Sequence, residues 1–314
     1  MKVIYGFPDN LKSKNTYLAL GNFDGVHIGH KKIIRSMVND AQRDAAQSIV
    51  VTFDPYPKKV LKETTCPKLL ISPDTKTRLI AGLGVDFLVF LPFDNYLARL
   101  TPINFLEKVV IHYFEPTAIF VGYNYSFGKG GVGTPTVLRD FGDRMGVCVN
   151  VIPPVTIASQ PVSSSEIRNF LSAGEIESAR KYLGYCPVVE GEVTSGDGLA
   201  ESLGYPTANL QVNGDLILPA PGIYAAVTSI YGKKYKAAVN VGSRPTVTSG
   251  GGKRVEAHIL DFKGDLYGEY IRLSMIKWIR DEKKFSSLNE LGEQIGKDVD
   301  GVRREQVPAD AVYL

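Results

Sequence analysis

Short apolar runs alternate with amphipathic stretches over residues 1–185 of the chain. Buried strands are predicted by the apolar runs at 16–20, 48–53, 87–91, 118–121 and 147–151. Helical faces are predicted by apolar residues at three- and four-residue spacing, namely Ile33, Ile34, Met37, Val38 and Ala41, and later Phe105, Val109 and Tyr113. Strands and helices in alternation predict an α/β fold, with a doubly wound parallel sheet that carries helices on both faces. Ligands of such sheets bind at the carboxyl ends of the strands.

The helical period disappears from Cys186 onward, and strand-like segments follow one another. They lie at 188–193, 223–230, 235–241, 255–262 and 270–279, with turn residues such as those at 231–235 and 249–253 between them. These segments predict a small antiparallel β-barrel. A helical pattern returns at 286–302 and predicts one helix that closes the barrel. Because 314 residues exceed what one core usually supports, we expect one domain at 1–185 and another at 186–314.

Composition and charge narrow the class of protein. Hydrophobic residues make up 44% of the chain and charged residues 22%, and the 36 basic and 33 acidic residues form no concentrated basic patch. We therefore expect no nucleic-acid partner. The opening MKVIYGFPDN is unlike a secretory signal and the apolar run at 85–93 is too short for a bilayer, so a soluble, cytoplasmic protein without a membrane partner is expected. The oligomeric state, including a homo-oligomer, is left open.

The turn after the first predicted strand, GNFDGVHIGH at 21–30, holds two of the four histidines. Its three glycines let the backbone approach a ligand closely, and the helix that follows offers unpaired N–H groups to an anion. His27 and His30 are three residues apart, which turns both imidazoles towards the same side of a helix start. The pattern predicts a phosphate cradle whose N–H donors stabilise the charge that develops during phosphate transfer. A polar surface position for both histidines is the alternative.

A zinc site at this histidine pair is disfavoured, because the spacing is not the four residues of a helical zinc motif. His112, His258 and the cysteines supply no evident third ligand. Cys66, Cys148 and Cys186 lie far apart, form no C-x-x-C pair and are odd in number. We therefore predict three reduced thiols that fill buried positions.

Seven motifs in order resemble those of one enzyme family. They are GNFDGVHIGH at 21–30, VTFDPYP at 51–57, VGYNYSFGK at 121–129, VSSSEIR at 162–168, LGYPTANL at 203–210, GSRPT at 242–246 and VEAHILDF at 255–262. The first is similar to the signature of the HIGH-type nucleotidyltransferases. The complete set covers nearly the whole chain and resembles the bacterial two-domain riboflavin kinase/FAD synthetase family.

For the first domain, the resemblance implies adenylyl transfer from ATP to FMN, which gives FAD and pyrophosphate with Mg²⁺ as cofactor. The site residues that it implies are His27, His30, Gly21, Asn22, Phe23 and Gly29 for ATP and its phosphates, and Phe53, Pro55 and Asn124 for the flavin. Ser164 and Arg168 fit a second phosphate clamp, because a hydroxyl at a helix start and a guanidinium one turn later converge on one anion. A capping box of Ser163 and Glu166, which needs no ligand, is the alternative.

The stretch GKGGVG at 128–133 spells G-x-G-x-x-G, the pattern of a dinucleotide-binding turn. That fingerprint also needs an acidic residue at the end of the next strand, where this chain has Asn150. We therefore reject a dinucleotide dehydrogenase and expect a loop that covers substrate, with Lys129 near phosphate.

For the second domain, the resemblance implies phosphoryl transfer from ATP to riboflavin, which gives FMN. Thr207 and Asn209 are implied to hold Mg²⁺ and nucleotide, and Glu256 is implied to be the general base. The chain departs from the family where a Gly-Arg pair is usual, because Ala200 and Glu201 stand there. This reversal of charge weakens a shielded phosphate site and has little effect if Glu201 points outward.

Three rival functions follow from the same residues. An FAD synthetase whose barrel only binds flavin would make no FMN, and a non-enzymatic flavin-binding regulator would release no pyrophosphate. A nucleotidyltransferase for another phosphorylated acceptor is disfavoured by the barrel and by the PTAN segment at 206–209.

Overall fold

The structure is a computed structural model that describes residues 1–8, 11, 15–61, 66–196, 199–243, 253–309 and 311. The chain forms two compact units, the first of Met1–Lys68 and Ser72–Ser163, the second of Leu69–Ile71 and Ser164–Leu314. The second unit therefore begins before the predicted boundary at 185/186. Of the predicted features, most of the turn at 249–253 and of the motif at 242–246 lies outside the described residues.

A six-stranded parallel sheet forms the first unit, as the alternating pattern predicts. Its strands are β1 (Lys2–Tyr5), β2 (Thr16–Leu20), β3 (Gln47–Phe53), β4 (Phe87–Leu91), β5 (Ala118–Gly122) and β6 (Cys148–Ile152). They are arranged in the order β1-β4-β3-β2-β5-β6, and every neighbouring pair is parallel. A two-stranded ribbon, β7 (Thr156–Ile157) and β8 (Gln160–Pro161), follows the sheet. Sequence reasoning missed β1, a four-residue edge strand whose side chains are exposed or half-buried.

Helices connect these strands. They are α1 (Ile28–Arg43), α2 (Pro57–Val60), α3 (Pro73–Ala81), α4 (Asn95–Arg99), α5 (Pro102–Phe105), which continues as a π-helical segment (Leu106–Ile111) into α6 (His112–Phe114), and α7 (Pro135–Met145). The buried face of α1 consists of the five apolar residues that its spacing predicts. Four of the helices start with proline, whose fixed φ and missing N–H suit a first helical position. Side-chain oxygens of Ser72, Asp94, Thr101 and Thr134 cap α3, α4, α5 and α7.

The strand order reverses beside β2, which positions the candidate site. From β2 the chain runs outward through β3 to β4, and then crosses to β5 on the other side of β2. Ligands of open α/β sheets bind at such a reversal, outside the carboxyl ends of the strands. The loops after β2 and β5 begin at this crevice, and the first of them is the glycine- and histidine-rich turn.

The second unit is a closed antiparallel barrel with helices, as the strand pattern predicts. Its elements are α8 (Ser164–Ser172), α9 (Ile176–Leu183), β9 (Val188–Thr194), α10 (Leu199–Ser202), β10 (Ala208–Gln211), β11 (Gly222–Ile230), β12 (Lys233–Ser243), β13 (Lys253–Ile259), β14 (Tyr270–Arg280) and α11 (Leu288–Arg304). The barrel order is β10-β13-β12-β11-β14-β9. Sequence reasoning missed β10, which begins within the PTAN segment and ends at Gln211. Leu69 joins this unit through a parallel bridge to Leu216, with backbone hydrogen bonds of 2.8 and 2.9 Å to Asp215 and Ile217.

The final helix is fixed to the barrel by charge as well as by apolar packing. The Arg280 guanidinium donates to both carboxylate oxygens of Asp298 on α11, at 2.6 to 3.1 Å. Lys236 Nζ donates to the carbonyl oxygens of Arg303 and Glu305, at 2.6 and 2.8 Å, where the helix ends. A lysine at this end satisfies carbonyl groups that have no partner within the helix.

The cysteine prediction is partly wrong. Cys186 is buried as expected, but Cys66 and Cys148 are exposed, and all three are free thiols. Cys148 is the first residue of β6, an edge strand of the sheet. Within the described part of the chain, no strand lies beyond β6 in this sheet to cover that edge, where the Cys148 side chain is exposed. None of the described helices combines the length and the apolar character that crossing a bilayer requires.

Candidate functional site

The turn after β2 has an unusual backbone. Phe23, Gly25 and Val26 all have positive φ, at 47°, 82° and 36°, a region that costs strain for residues other than glycine. The Phe23 ring is buried and lies over Gly21, where an added Cβ would stand 3.0 Å from Phe23 Cζ. Glycine at the strand end therefore leaves room for the Phe23 ring as the turn folds back. Strain of this kind persists only where the surroundings fix the backbone.

His27 both caps α1 and faces its neighbour His30. Its Nδ1 accepts a hydrogen bond of 3.2 Å from the His30 backbone N–H, the role that a Ser or Asp oxygen usually plays at a helix start. Because Nδ1 accepts, the proton of the neutral ring is on Nε2. An added Cβ on Gly29 would stand 3.1 Å from His27 Cε1, so glycine lets the imidazole lie over the helix start.

The two imidazoles lie on the same side, as their spacing predicts. Their ring centroids are 3.5 Å apart with planes inclined by 17°, and the Phe23 ring contacts His30 edge to face at 5.4 Å. Burial lowers the pKa of His27 to about 4, and burial followed by the charges of His27 and Lys76 holds the pKa of His30 well below its usual range. Both rings are therefore neutral at pH 7, and each carries one N–H donor. His30 Nδ1 is buried and has no partner among the described residues.

Other predicted residues of the first unit surround the same sheet edge. Asn124 follows β5, and its Oδ1 is 3.4 Å from the position of a Cβ on Gly122 at the strand end. Asn22 follows β2, the neighbouring strand, so both asparagines are at the strand-order reversal. Phe53 ends β3 and contacts Phe93 edge to face at 5.5 Å, within the apolar core, whereas Pro55 is exposed.

Ser164 and Arg168 are the first and fifth residues of α8, a helix of the second unit. Because α8 begins at Ser164, this hydroxyl belongs to a helix start, as the clamp hypothesis assumes. Convergence of these two side chains on a phosphate stays a prediction, as does the alternative capping box.

Lys76 is a residue of this site that sequence reasoning missed. Its side chain is buried on α3, and Nζ donates to the Asn22 carbonyl oxygen at 2.9 Å. Thr52, which is also buried, donates to the same oxygen from β3 at 3.1 Å. The available signal was weak: Lys76 precedes the buried Ile80 by four residues and so occupies the apolar face of α3.

The second unit contains a cavity of about 340 Å³ that is lined by residues of β12, β13 and α11. This volume falls within the usual range for small-molecule sites. Predicted residues Thr207 and Glu256 line it, together with Asn240, Arg254, Arg280 and Asp298, which sequence reasoning missed. Arg254 could have been found from the sequence, because it lies two residues before Glu256 on one strand and so faces the same side.

A row of polar side chains crosses three strands beside this cavity. In the strand register, Glu256 on β13 lies opposite Asn209 on β10 and Asn240 on β12. Arg254 Nη2 lies 2.7 Å from Glu256 Oε1 and donates to Asn209 Oδ1 at 3.0 Å. Asn240 Nδ2 donates to Glu256 Oε2 at 3.4 Å. A Cβ on Gly196 would overlap the Asn209 amide, so glycine at this position lets the amide join the row.

Glu201, the acidic residue where the family usually has arginine, is exposed. Ala200 lines the cavity, and Glu201 on the same short helix α10 is exposed. The structure therefore favours a small effect of Glu201 on phosphate binding, because an exposed charge is screened by solvent.

Comparisons with known proteins agree with this division of sites. The family model described as FAD synthetase matches residues 9–166, and the model described as riboflavin kinase matches residues 183–305. The bifunctional riboflavin kinase/FMN adenylyltransferase of Bacillus subtilis is 34% identical over 90% of this chain and 89% of its own. The chain belongs to this family. The bifunctional riboflavin kinase/FMN adenylyltransferase of Escherichia coli K12 is 31% identical over 95% of this chain and 96% of its own.

A solved structure supports the fold across both units. The crystal structure of a macrolide-efflux protein from Streptococcus pneumoniae matches with a TM-score of 0.87 and 30% identity, over 98% of this chain and all of that one. The chain thus shares its fold with a protein that carries an unrelated name, while the family models and curated relatives name flavin enzymes.

Proposed function

We propose that this chain makes FAD from riboflavin in two ATP-dependent steps, one in each unit. The observation that carries the first step is the stacked pair of neutral imidazoles at the N-terminus of α1, of which His27 is buried and His30 half-buried. An oxygen of the FMN phosphate attacks the α-phosphorus of ATP, the bond to the bridging oxygen breaks, and pyrophosphate leaves. Charge grows on the phosphate oxygens during this transfer, and donors held in place beforehand stabilise it.

In this proposal, His27 Nε2–H and His30 donate to oxygens of the α- and β-phosphates. The helix start supplies backbone N–H groups that attract the same anion. Gly21 and Gly29 keep the turn compact, and Phe23 supports the His30 ring. Neutral imidazoles need no change of protonation to act at pH 7, which suits residues that align and stabilise instead of transferring a proton.

The second unit phosphorylates the ribityl hydroxyl of riboflavin. Glu256 lines the cavity with its carboxylate between Arg254 and Asn240, and it accepts the hydroxyl proton as the oxygen attacks the γ-phosphorus. The bond from the γ-phosphorus to its bridging oxygen breaks, and ADP leaves. Arg254 lies close enough to fix the carboxylate, and it adds a cation to a site where Ala200 supplies none.

The donor set of the second unit suits Mg²⁺, which prefers oxygen ligands and usually takes few of them from the protein. Thr207 lines the cavity, and Asn240 Oδ1 is a buried acceptor without a partner among the described residues. Thr207 and Asn209 would hold the ion, although Asn209 Oδ1 already accepts from Arg254. When bound, Mg²⁺ neutralises polyphosphate charge. We place both reactions in the cytoplasm. The oligomeric state, which the sequence leaves open, can be measured by sedimentation.

The deciding experiment incubates the chain with ATP and Mg²⁺, with riboflavin in one reaction and FMN in another, and separates the products by chromatography. We expect FMN and FAD from the first and FAD with pyrophosphate from the second. His30→Ala should abolish FAD formation and preserve FMN formation, while Glu256→Gln should do the reverse, so each variant is the folding control for the other. FAD without FMN formation would indicate a barrel that only binds flavin, and binding without any product would indicate a regulator.

A further inference from the structure

Lys76 is a buried cation in the first unit, next to the proposed phosphate-binding turn. The residue is 7% exposed, and its Nζ lies 5.9 Å from the centroid of the Phe90 ring. Burial lowers the pKa of Lys76, and the negative charges of Asp24 and Asp54 oppose this shift. Lysine is almost never buried unless it is paired, because desolvating the ammonium is costly. An apolar side chain of the same length would fill this position at lower cost, so the charge itself needs an explanation.

The ammonium acts on one atom of the turn. Lys76 from α3 and Thr52 from β3 both donate to the Asn22 carbonyl oxygen, at 2.9 and 3.1 Å. The C=O and the following N–H of a trans peptide point in opposite directions. Fixing the Asn22 carbonyl towards these donors therefore points the Phe23 N–H in the opposite direction within the same peptide plane.

The backbone after this peptide is strained, with positive φ at Phe23 and Val26. Such conformations are strained and need surrounding contacts to persist. The two donors to the Asn22 carbonyl lie at the start of the strained segment, and the His27 cap lies at its end. These contacts fix the segment from both sides.

We propose that Lys76 is a positioning residue for adenylyl transfer: with Thr52 it holds the Asn22 carbonyl, and thereby the turn that presents backbone amides and the two imidazoles to the phosphates of ATP. The inference rests on the proposed function of the first unit. It assigns Lys76 no contact with substrate.

The charge of Lys76 has a second effect, on the histidine pair. The charged groups that act on His30 are His27, at the helix start, and Lys76, on α3. Lys76 is itself acted on by two carboxylates, Asp24 in the loop after β2 and Asp54 after β3. Because a cation nearby disfavours imidazolium, Lys76 helps to keep His30 neutral. Removing the cation raises the pKa of His30, so protonation of this ring begins at higher pH.

The test compares Lys76→Met, Lys76→Arg and Thr52→Val with the unchanged chain, and uses Lys108→Met, at an exposed lysine, as the matched control. Pyrophosphate release from ATP and FMN is measured from about pH 3.5 to pH 9, a range that includes the pKa of about 4 of His27. Riboflavin phosphorylation by the same samples reports on folding of the second unit. Far-UV circular dichroism reports on the first unit.

We expect Lys76→Met to lower kcat for FAD formation by about 100-fold, as a displacement of about 1 Å does elsewhere, with KM for FMN changed less than about threefold. The acid limb of the pH–rate profile of Lys76→Met should move to higher pH. Lys76→Arg, which keeps the charge and a donor, should recover about tenfold of the loss, and Thr52→Val should lower kcat less than Lys76→Met. Lys108→Met should leave kcat and the acid limb unchanged.

Three kinetic outcomes would overturn the inference. The first is a Lys76→Met variant whose kcat stays within about threefold of that of the unchanged chain, and the second is a loss of kcat that Lys76→Arg does not relieve at all. The third is an acid limb of the pH–rate profile that stays in place in Lys76→Met, because loss of packing alone would not move it. Unfolding of both Lys76 variants would likewise assign the residue to stability and reject the positioning role. If the unchanged chain itself releases no pyrophosphate with FMN, the proposed function fails instead.

Discussion

The pH dependence of the first unit should depend on His27, because this ring caps α1 only when it is neutral. Its Nδ1 accepts the His30 backbone N–H, and a protonated ring has no acceptor there. Burial lowers the pKa of His27 from 6.5 to about 4. The unfolded chain therefore takes up the proton first as pH falls. The resulting stability is present above pH 6.5 and is lost as the pH falls towards 4.

The magnitude follows from this shift. One pKa unit corresponds to about 1.4 kcal/mol, so the full shift amounts to about 3 kcal/mol, of which about 2 kcal/mol is lost between pH 7 and pH 5. His27→Asn supplies the comparison, because asparagine is also a good helix cap and does not titrate. His112→Asn, at an exposed histidine, is the matched control.

Two measurements apply. Nuclear magnetic resonance of the ring protons resolves the titration of only four histidines. Native-state hydrogen exchange of the α1 amides gives the free energy of opening of that helix at pH 7 and pH 5. We expect the unchanged chain and His112→Asn to lose about 2 kcal/mol more than His27→Asn over this interval. Equal losses in all three chains, or titration of His27 near 6.5, would refute the capping argument.

Three further predictions concern the second unit. Asp298→Ala should lower the free energy of unfolding by about 3 to 5 kcal/mol in urea titrations followed by the single tryptophan, because it leaves Arg280 without its buried partner. Gly196→Ala should lower riboflavin phosphorylation at least about tenfold and leave FAD formation intact, because the new Cβ displaces the Asn209 amide beside Glu256, and equal loss of both would contradict this account. Glu201→Arg should change riboflavin phosphorylation less than about threefold, and a larger gain would show that this exposed side chain acts on the phosphate site.

The sequence predicted those parts of the fold that are written in a continuous local pattern. The buried face of α1 and five of the six parallel strands follow from apolar spacing. Of the strands that were missed, β1 and β10 have only four residues each and the ribbon strands β7 and β8 only two each, and no more than one residue of β10 is buried. Such segments carry too little alternation to be distinguished from loops.

Site residues divide in the same way. His27 and His30 are close in sequence, so their common side could be predicted from helical geometry. Lys76 could not be, because its partner Asn22 is 54 residues away and the contact depends on how α3 packs on the sheet. The row of Asn209, Glu256 and Asn240 likewise depends on strand register, which the spacing of residues along one strand does not determine.

The placement of Leu69–Ile71 has a consequence for anyone who wishes to produce the kinase alone. This short segment precedes most of the first unit in the chain, yet it belongs to the compact body of the barrel, where Leu70 and Ile71 are buried. A fragment that begins at residue 186 would also lack α8 and α9. A fragment made by truncating the chain at one position therefore lacks residues that pack in the second unit. A stable kinase fragment requires that the segment Leu69–Ile71 be fused to it or supplied as a separate peptide.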